Sequence, residues 1–298
     1  MAKPGRLGVG IIGAGKVGAV LGAALRAAEH AVVGVSAVSE ASRERADTLL
    51  PGVPILEIQD IVERAELVLL AVPDDALGPL VDGLAKLGAW QPGQLVAHTS
   101  GRFGVGILHP VRAAGGVPLA LHPAMTFTGM SLDLTRLLDC TFGVTADPAM
   151  LPIAQALVVE MGAEPVAIAE GDRPLYHAAL AHGSNHLVTL VAQAAEMLRE
   201  VGVEEPGRML GPLLRASLEN ALASGESALT GPVARGDAGT VAAHAEALRD
   251  LDGGSGGDIL EAYLAMARAT ARRAGSRGLL RPDQVDGIRQ ALDGAAPD

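Results

Sequence analysis

The sequence contains a single cysteine and very few aromatic residues. Cys140 has no partner for an intrachain disulfide, which is consistent with a reducing compartment such as the cytoplasm. Only 2% of the residues are aromatic although 49% are hydrophobic, so the core must consist mainly of Ala, Val and Leu. Such a composition favours a parallel sheet covered by helices over a β-sandwich.

Long apolar runs and an excess of positive charge are also missing. No uninterrupted apolar stretch reaches the roughly 18 residues of a membrane helix, and glycines and Lys16 interrupt the apolar start of the chain, so no signal peptide is predicted. The formal net charge of −11 argues against nucleic acid or an anionic membrane as a partner. An anionic substrate or cofactor would therefore need local positive features.

The most informative stretch lies near the N-terminus. Residues 7–12 predict a buried strand, and a G-x-G-x-x-G pattern follows before a helical run. The first glycine permits a sharp turn, the second lets a pyrophosphate approach the backbone, and the third lets the helix pack on the strand. The helix N-terminus adds free N–H groups and a partial positive charge. The residues predicted to bind a dinucleotide here are Gly13, Ala14, Gly15, Lys16, Val17 and Gly18.

The end of the second predicted strand bears on the choice of cofactor. In NAD-selective folds an Asp or Glu near this point bonds the ribose 2′-hydroxyl, and no acid stands at this strand end. Ser36, Ser39 and Arg43 would instead suit the 2′-phosphate of NADP(H). Glu40 adds a negative charge nearby, and Arg43 and Arg45 could be solvated helix residues, the preferred interpretation for Arg45. The pattern favours NADP(H) over NAD(H).

Three further predicted strands are each followed by residues with polar or constrained side chains. These strand ends read Val72-Pro73-Asp74-Asp75, His98-Thr99-Ser100-Gly101 and His122-Pro123. The carboxyl ends of parallel strands meet at one edge of a sheet, so we expect these residues to outline a ligand crevice. Alternatively, the aspartates start a helix and His98 holds a loop. The residues expected to flank the cofactor are Val72, Pro73, Asp74, His98, Thr99 and Ser100.

The character of the sequence changes after Gly171. A strand–helix–strand unit precedes this point, and helical segments without a good strand follow it. We predict a doubly wound Rossmann domain with a mostly parallel sheet over residues 1–170. An all-helical domain over residues 171–298 would bind substrate and form a homodimer through apolar helices. Residues 252–257 are expected to form a flexible loop, and the last residues of the chain to be frayed.

The first helix of the second part carries His177, His182 and His186. At about 100° per residue, His182 and His186 lie about 140° and 180° from His177 on a straight helix, so one metal cannot bind all three. His182 and His186 alone, at i and i+4, could hold a metal, but a surface position or a subunit contact is preferred, and no metal site is predicted. His177 and Ser184 share a stripe with small neighbours that leave room for a ligand beside Asn185. A mid-helix Asn is costly to bury unpaired, which favours a functional role. His177 could equally be a hydrogen-bonded core residue.

A second break in the helical pattern lies at residues 229–237, where Pro232 suits the start of a new helix. Arg235 could pair with Asp237 or reach an anionic substrate. The local ion pair is the preferred interpretation.

Taken together, the motifs resemble bacterial Rossmann-like proteins with a DUF2520 C-terminal domain, in the 6-phosphogluconate dehydrogenase-like superfamily near pyrroline-5-carboxylate reductase and ketopantoate reductase. The matching stretches are Ile11-Ile-Gly-Ala-Gly-Lys-Val-Gly18, Val72-Pro-Asp-Asp75, His98-Thr-Ser-Gly101, Leu121-His-Pro123 with Phe127, Tyr176-His-Ala-Ala179 with Ser184-Asn185, and Leu229-Thr-Gly-Pro-Val-Ala-Arg-Gly-Asp237. The resemblance implies an NADP-linked oxidoreductase with an all-helical dimerising domain. Some relatives resemble alternative ketopantoate reductases.

One departure from that pattern bears on catalysis. Ordinary ketopantoate reductases carry a catalytic Lys one helical turn before the Asn, and here that position is Ala181. A carbonyl reductase would then need another proton donor, for which His177 is the first candidate and His122 the second. Asn185 would hold the substrate or the nicotinamide amide, with Ser184 beside it.

These observations lead to an expected function and two alternatives. The first expectation is an NADPH-dependent reductase of a small anionic 2-oxo acid, with ketopantoate as the leading substrate. A cyclic-imine reductase needs less help from a strong acid, which would account for the missing lysine. A regulatory protein that binds NADPH without turnover is the third hypothesis.

Overall fold

The computed structural model describes residues 6–251 and 256–294 and contains a seven-stranded sheet. The strands are β1 (Gly8–Ile12), β2 (Ala31–Ser36), β3 (Leu67–Leu70), β4 (Leu95–His98), β5 (Val117–Pro123), β6 (Thr141–Ala146) and β7 (Glu164–Ala167). They lie in the order β2-β1-β3-β4-β5-β6-β7. Neighbouring strands are parallel except β5 and β6, which are antiparallel. The predicted doubly wound, mostly parallel α/β fold is confirmed.

The helices of this part of the chain connect the strands, except for the last helix, which follows β7. They are α1 (Lys16–Ala27), α2 (Glu40–Leu49), α3 (Ile58–Arg64), α4 (Asp74–Lys86), α5 (His109–Ala113), α6 (Leu132–Leu137), α7 (Leu151–Glu160) and α8 (Arg173–Leu180). The sequence analysis did not identify α5 and α6, because five or six residues are too few to show a helical period. Pairing with the antiparallel strand β6 continues along β5 as far as Pro123. His122 therefore lies inside β5, opposite Gly143, and does not follow the strand as the sequence predicted.

Two apolar cores cover the two faces of the sheet. The run of residues 67–70 is fully buried, with Leu67 and Leu69 in the core beneath α1 and α7 and with Val68 and Leu70 in the core beneath α3 and α4. This alternation follows from the two-residue period of a strand, and burial on both faces explains why the strand is continuously apolar. The cores are mainly Ala, Val, Leu and Ile, close to what the composition predicted.

The chain groups into two compact units, residues 1–185 and 186–298. The second unit contains α9 (His186–Glu200), α10 (Pro206–Ser224), α11 (Pro232–Arg235), α12 (Ala238–Asp250), α13 (Gly256–Ser276) and α14 (Pro282–Asp293). No strand follows β7 within the described residues, so the all-helical prediction is confirmed for them. The domain boundary near Gly171 stays a prediction. Most of the predicted loop at residues 252–257 lies outside the described part of the chain.

A further helix, α14, which the sequence analysis did not predict, ends at Asp293, and the last residues, 295–298, which were expected to be frayed, lie outside the described part of the chain. Helix α14 buries Ile288 and Leu292 in the core of the second unit. Pro282 occupies its first turn, and the side chain of Gln284 accepts the backbone N–H of Arg281 at 3.0 Å. Ile288 and Leu292, four residues apart, lie on the same face of α14, and the Gln284 hydrogen bond satisfies one N–H group at its N-terminus. These contacts hold the helix in place.

The expectation of a straight α-helix from residue 173 onward also needs correction. Residues Ala181–Asn185 form a turn of π-helix between α8 and α9. A π turn inserts an extra residue into the helical repeat, so the angles derived from about 100° per residue do not apply beyond Leu180. Such turns occur frequently at functional sites.

Candidate functional site

The glycine turn after β1, residues 13–18, has the geometry of a dinucleotide cradle. Gly13 has φ +101°, and a Cβ there would lie 2.5 Å from the carbonyl oxygen of Ala71. A Cβ on Gly18 would clash with the carbonyl of Gly13. A Cβ on Gly15 would meet nothing within 4 Å, and no side chain caps α1 at this residue. Open space in front of uncapped N–H groups is what a pyrophosphate requires.

Ser36 and Ser39 are engaged in the protein itself. The hydroxyl of Ser36 is buried and accepts the N–H of Gly13 at 3.0 Å, so it holds the glycine turn in place. Ser39 caps α2 by accepting the N–H of Ser42 at 3.2 Å. Contact of either hydroxyl with a 2′-phosphate stays a prediction. Sequence analysis identified neither structural role.

The two arginines of α2 have different surroundings, and the predicted contact of Arg43 with a 2′-phosphate stays a prediction. Arg43 is exposed, and its Nε lies 3.5 Å from the carbonyl of Ala37. Arg45 is half-buried, and its Nη1 donates to the carbonyl of Ala14 in the glycine turn at 3.4 Å. The interpretation of Arg45 as a solvated residue is therefore wrong. The cationic side chain of Arg45 thus lies beside the glycine turn, and Lys16 belongs to the turn itself.

His98 and Ser100 hold a loop. The His98 side chain is fully buried; its Nδ1 accepts the N–H of Ser100 at 3.2 Å, and its Nε2 lies 2.8 Å from the carbonyl of Gly104. The Ser100 hydroxyl accepts two further N–H groups of the loop. Burial lowers the pKa of His98 to about 4. The His98 side chain has no exposed surface, and the prediction that His98 and Ser100 flank the cofactor stays a prediction.

The remaining residues expected beside the cofactor keep exposed surface. Val72, Asp74 and Thr99 are half-buried, and Pro73 is exposed. Asp74 also begins α4, which matches the alternative interpretation of the acidic pair as a helix start. The cofactor contacts of these four residues stay predictions.

A cavity of about 380 Å³, here called the histidine cavity, brings together the residues singled out for catalysis. Residues 122–126 at the end of β5 form one wall, and α8 with the π turn forms the other. The polar side chains lining it are His122, Thr126, His177, Ser184 and Asn185. The sequence analysis named four of these five, and the structure brings those four to one cavity within residues 1–185.

Two glycines make room for the rings at this cavity. A Cβ on Gly101 would lie 2.7 Å from His177 Cδ2 and 2.8 Å from His122 Nε2. A Cβ on Gly143 would lie 2.6 Å from the hydroxyl oxygen of Tyr176. The His122 and His177 rings are 6.2 Å apart and nearly perpendicular. Gly101 belongs to the His98-Thr99-Ser100-Gly101 motif, whereas no pattern in the sequence points to Gly143.

His122 is a neutral imidazole at physiological pH. Burial, with a smaller contribution from the charges of Arg173 and His177, lowers its pKa to about 4 against the opposing charge of Asp74. Its Nδ1 lies 2.8 Å from the hydroxyl of Tyr176. Only below about pH 4 would most of this ring be cationic. His122 is therefore poorly suited to serve as an imidazolium proton donor, which leaves His177 as the first candidate.

The second unit contains Arg235, the other residue proposed to reach substrate. Arg235 is exposed at the end of α11. Asp237 accepts the N–H and the hydroxyl of Thr240 and so caps α12. Within the described residues no ion pair of 4 Å or less joins Arg235 to Asp237, but the charge of Arg235 is among the groups that lower the pKa of Asp237, so the two interact without direct contact. A substrate contact of Arg235 stays a prediction.

The described residues contain neither a candidate metal cluster nor a helix suited to crossing a membrane. Over residues 6–251 and 256–294, no cluster of three or more His, Cys, Asp or Glu side chains is arranged to hold a metal ion. Over the same residues, no helix combines the length and apolar character needed to cross a membrane.

Comparison with known proteins agrees with this architecture. A family of Rossmann-like domains matches residues 1–123, and a domain of unknown function, DUF2520, matches residues 140–270. The resemblance stated from the motifs is thereby confirmed. No curated protein matches the chain.

Several solved structures share the fold. The structure of BF3122 from Bacteroides fragilis, named as an NADP oxidoreductase, is similar with a TM-score of 0.73 and 20% identity over 90% of this chain and 98% of that one. Protein TM1727 from Thermotoga maritima gives 0.64 and 22% over 90% and 99%. Pyrroline carboxylate reductase from Plasmodium falciparum, with NADP bound, gives 0.55 and 12% over 98% of each chain. At such identities the likeness establishes a shared fold.

Proposed function

Because the chain belongs to the proteins that join a Rossmann-like domain to a DUF2520 domain, we propose that it is an NAD(P)-dependent oxidoreductase acting on a small carbonyl or imine compound. The observation that carries this proposal is the pairing of two features within residues 1–185. The glycine turn offers uncapped N–H groups after β1, and the histidine cavity lies at the end of β5. Parallel strands bring both to the carboxyl edge of the sheet.

NADP(H) is the proposed cofactor. When bound, its reduced nicotinamide supplies a hydride. The chain contributes the open face of Gly15, the α1 N-terminus, and the cations Lys16 and Arg45 beside the turn. The absence of an acid at the end of β2 supports NADP(H) over NAD(H). A fold neighbour with NADP bound agrees with this preference.

His177 is the proposed proton donor. It lines the cavity together with Asn185, and the position of the lysine found in ordinary ketopantoate reductases is Ala181. His177 would transfer a proton to the alkoxide formed by hydride addition, while Asn185 and Ser184 hold the substrate by hydrogen bonds. General acid catalysis of this kind typically accounts for about 10²–10⁴-fold in rate.

Two substrate classes are proposed in order. A small anionic 2-oxo acid, with ketopantoate first, fits a cavity of about 380 Å³ lined by hydrogen-bonding side chains. A cyclic imine is the second, because two fold neighbours are named as pyrroline carboxylate reductases and because an imine needs a weaker acid than a carbonyl. Arg235 remains a proposed contact for a substrate carboxylate.

A homodimer formed through the second unit is also proposed. Helices α9 and α10 expose apolar side chains, among them Val188 (70% exposed), Leu213 (63%) and Leu222 (79%). Large apolar patches of this kind mark contact surfaces. Light scattering coupled to gel filtration would test it: a molar mass of one chain at micromolar concentration would contradict it. Cys140 is a buried free thiol, which is consistent with the cytoplasm as the proposed compartment.

The proposed function is tested with purified protein in two steps. Binding of NADPH and NADH is measured by fluorescence, and NADPH oxidation is then followed with a panel of 2-oxo acids and cyclic imines. We expect tighter binding of NADPH and turnover of one of the two classes. Tight NADPH binding without turnover of any compound would favour the regulatory alternative, and absence of binding would contradict the proposal.

A further inference from the structure

Arg173 is buried beside Tyr176 and takes no part in the proposed chemistry. Only 1% of it is exposed. Its Nε donates to Thr145 Oγ1 at 2.8 Å, and its Nη2 donates to the carbonyls of Gly143 and Ala120 at 3.0 and 3.2 Å. Among the described residues no carboxylate lies within 4 Å of it, and Glu170 stabilises its charge only from a longer distance. A buried guanidinium held only by neutral oxygens is costly, so its charge acts on its neighbours.

Tyr176 lies close both to the Arg173 guanidinium and to His122, which lines the histidine cavity. Its ring centre lies 5.7 Å from the Arg173 guanidinium carbon, and its hydroxyl lies 2.8 Å from His122 Nδ1. Gly143 has no side chain that would displace the phenol. Burial raises the pKa of Tyr176, so the residue remains a protonated phenol near neutral pH. The hydroxyl is thus available as a donor.

The direction of the hydrogen bond follows from acidity. A phenol is a stronger acid than the N–H of a neutral imidazole, and an imidazole nitrogen is a better acceptor than a phenol oxygen. The Tyr176 hydroxyl therefore donates to Nδ1. The one proton of the neutral His122 ring then lies on Nε2, the atom next to Gly101.

We propose that Tyr176 is a positioning residue that fixes His122 in its Nε2–H tautomer, so that His122 presents a neutral hydrogen-bond donor to an oxygen or carboxylate of the substrate. The part of this inference that concerns the substrate rests on the proposed function, whereas the tautomer does not. In this arrangement His122 polarises or orients the oxygen or carboxylate of the substrate, and His177 transfers the proton.

The charged and titratable groups around His122 are consistent with a neutral ring. From α8, Arg173 and His177 disfavour a second proton; from the end of β4, His98 does the same; from the start of α4, Asp74 favours it. Burial and the cations outweigh Asp74, and the donor is retained from about pH 5 upward. A fixed neutral donor stabilises charge that develops on an oxygen without reorganisation.

Nitrogen-15 NMR of the histidine side chains in the cofactor-free protein tests the tautomer directly. We expect His122 to show the Nε2–H tautomer between pH 5 and 8 and the Tyr176→Phe variant to show a mixture of both tautomers. The His122→Gln variant assigns the signal. A cationic ring at pH 7, a wild-type Nδ1–H tautomer, or an unchanged spectrum in Tyr176→Phe would each overturn the proposal.

The second unit provides a matched control. The hydroxyl of Tyr263 lies 3.0 Å from Nδ1 of His244, the same pair of groups as in Tyr176 and His122. Tyr263→Phe should leave the His122 signals and the turnover rate unchanged. Tyr176→Phe should lower kcat by about 10- to 100-fold, as losses of orienting partners typically do, with NADPH affinity unchanged. If no substrate is found, the NMR result still decides this inference, while the function proposal fails on its own.

Discussion

The glycine turn and the histidine cavity lie at the same edge of the sheet but depend on different parts of the chain. The turn is built from backbone: φ of +101° at Gly13, open space at Gly15 and close packing at Gly18. The cavity is built from side chains of β5, α8 and the π turn, such as His122 and His177, that are far apart in the sequence. In the proposed function, the first region determines where the dinucleotide binds, and the second determines what reacts there.

The largest expected effect separates the turn from the cavity. Gly15→Asp adds a side chain and a negative charge where a Cβ meets no protein atom, so the fold tolerates it but phosphate binding does not. We expect NADPH affinity to fall at least about 100-fold, by the charge-assisted bonds lost, with Tm unchanged. Fluorescence titration and thermal unfolding measure the two quantities.

Gly83→Ala is the matched control, since a Cβ at Gly83 in α4 also meets nothing. It should leave NADPH affinity unchanged. Equal affinities of wild type and Gly15→Asp would contradict the assignment of the turn.

The next prediction changes the histidine cavity and leaves the glycine turn untouched. His177→Ala removes the proposed proton donor and should lower kcat by about 10²–10⁴-fold. NADPH affinity should stay the same, because the glycine turn is untouched. Steady-state kinetics with the substrate identified in the panel provides the measurement. An unchanged kcat would exclude His177 as the donor.

A smaller effect concerns stability against pH. The folded-state pKa values of His98 and His122 are both about 4, below the unfolded value of 6.5, so the unfolded chain binds more protons between these limits. Their contribution is complete above about pH 6.5 and is lost as the pH falls towards 4. Each histidine contributes at most about 3 kcal/mol to the free energy of unfolding.

Urea unfolding between pH 7 and pH 4.5 measures this contribution. Wild type should lose stability steadily over the range, and His98→Gln should lose less. A free energy of unfolding that is constant in wild type would show that these rings are not buried as neutral groups.

The smallest effect refines the cofactor preference within the turn. Arg45→Gln removes the cation that reaches Ala14, and we expect NADPH affinity to fall about tenfold, with a smaller loss for NADH, in line with a charge-assisted hydrogen bond. Arg43→Gln is the control on the same helix and should change both affinities little. The opposite ranking would support Arg43 as the phosphate ligand.

Much of the first region could be predicted from the sequence because its causes are local. The apolar run of β1, the three glycines and the start of α1 follow each other along the chain, and each has a stereochemical reason to be there. The buried strand β3 is equally local. Helix α14 was missed although Ile288 and Leu292 lie four residues apart, since no long period surrounds them.

The rest could not be read from local patterns because it depends on tertiary packing. Arginine is seldom buried, so nothing in the sequence marks Arg173 as 1% exposed. The partner of His122 is Tyr176 only because β6 runs antiparallel to β5 and leaves Gly143 under the phenol. The π turn at Ala181–Asn185 has no local composition that distinguishes it from an α-helix.

The most direct test of the oxidoreductase assignment is isotope transfer. NADPH deuterated at the reactive C4 position of the nicotinamide is incubated with the protein and the panel of 2-oxo acids and cyclic imines, and the products are analysed by mass spectrometry. The account predicts one reduced product that carries a single deuterium on the former carbonyl or imine carbon. NADPH that binds to the glycine turn but transfers deuterium to no compound of either class would contradict it.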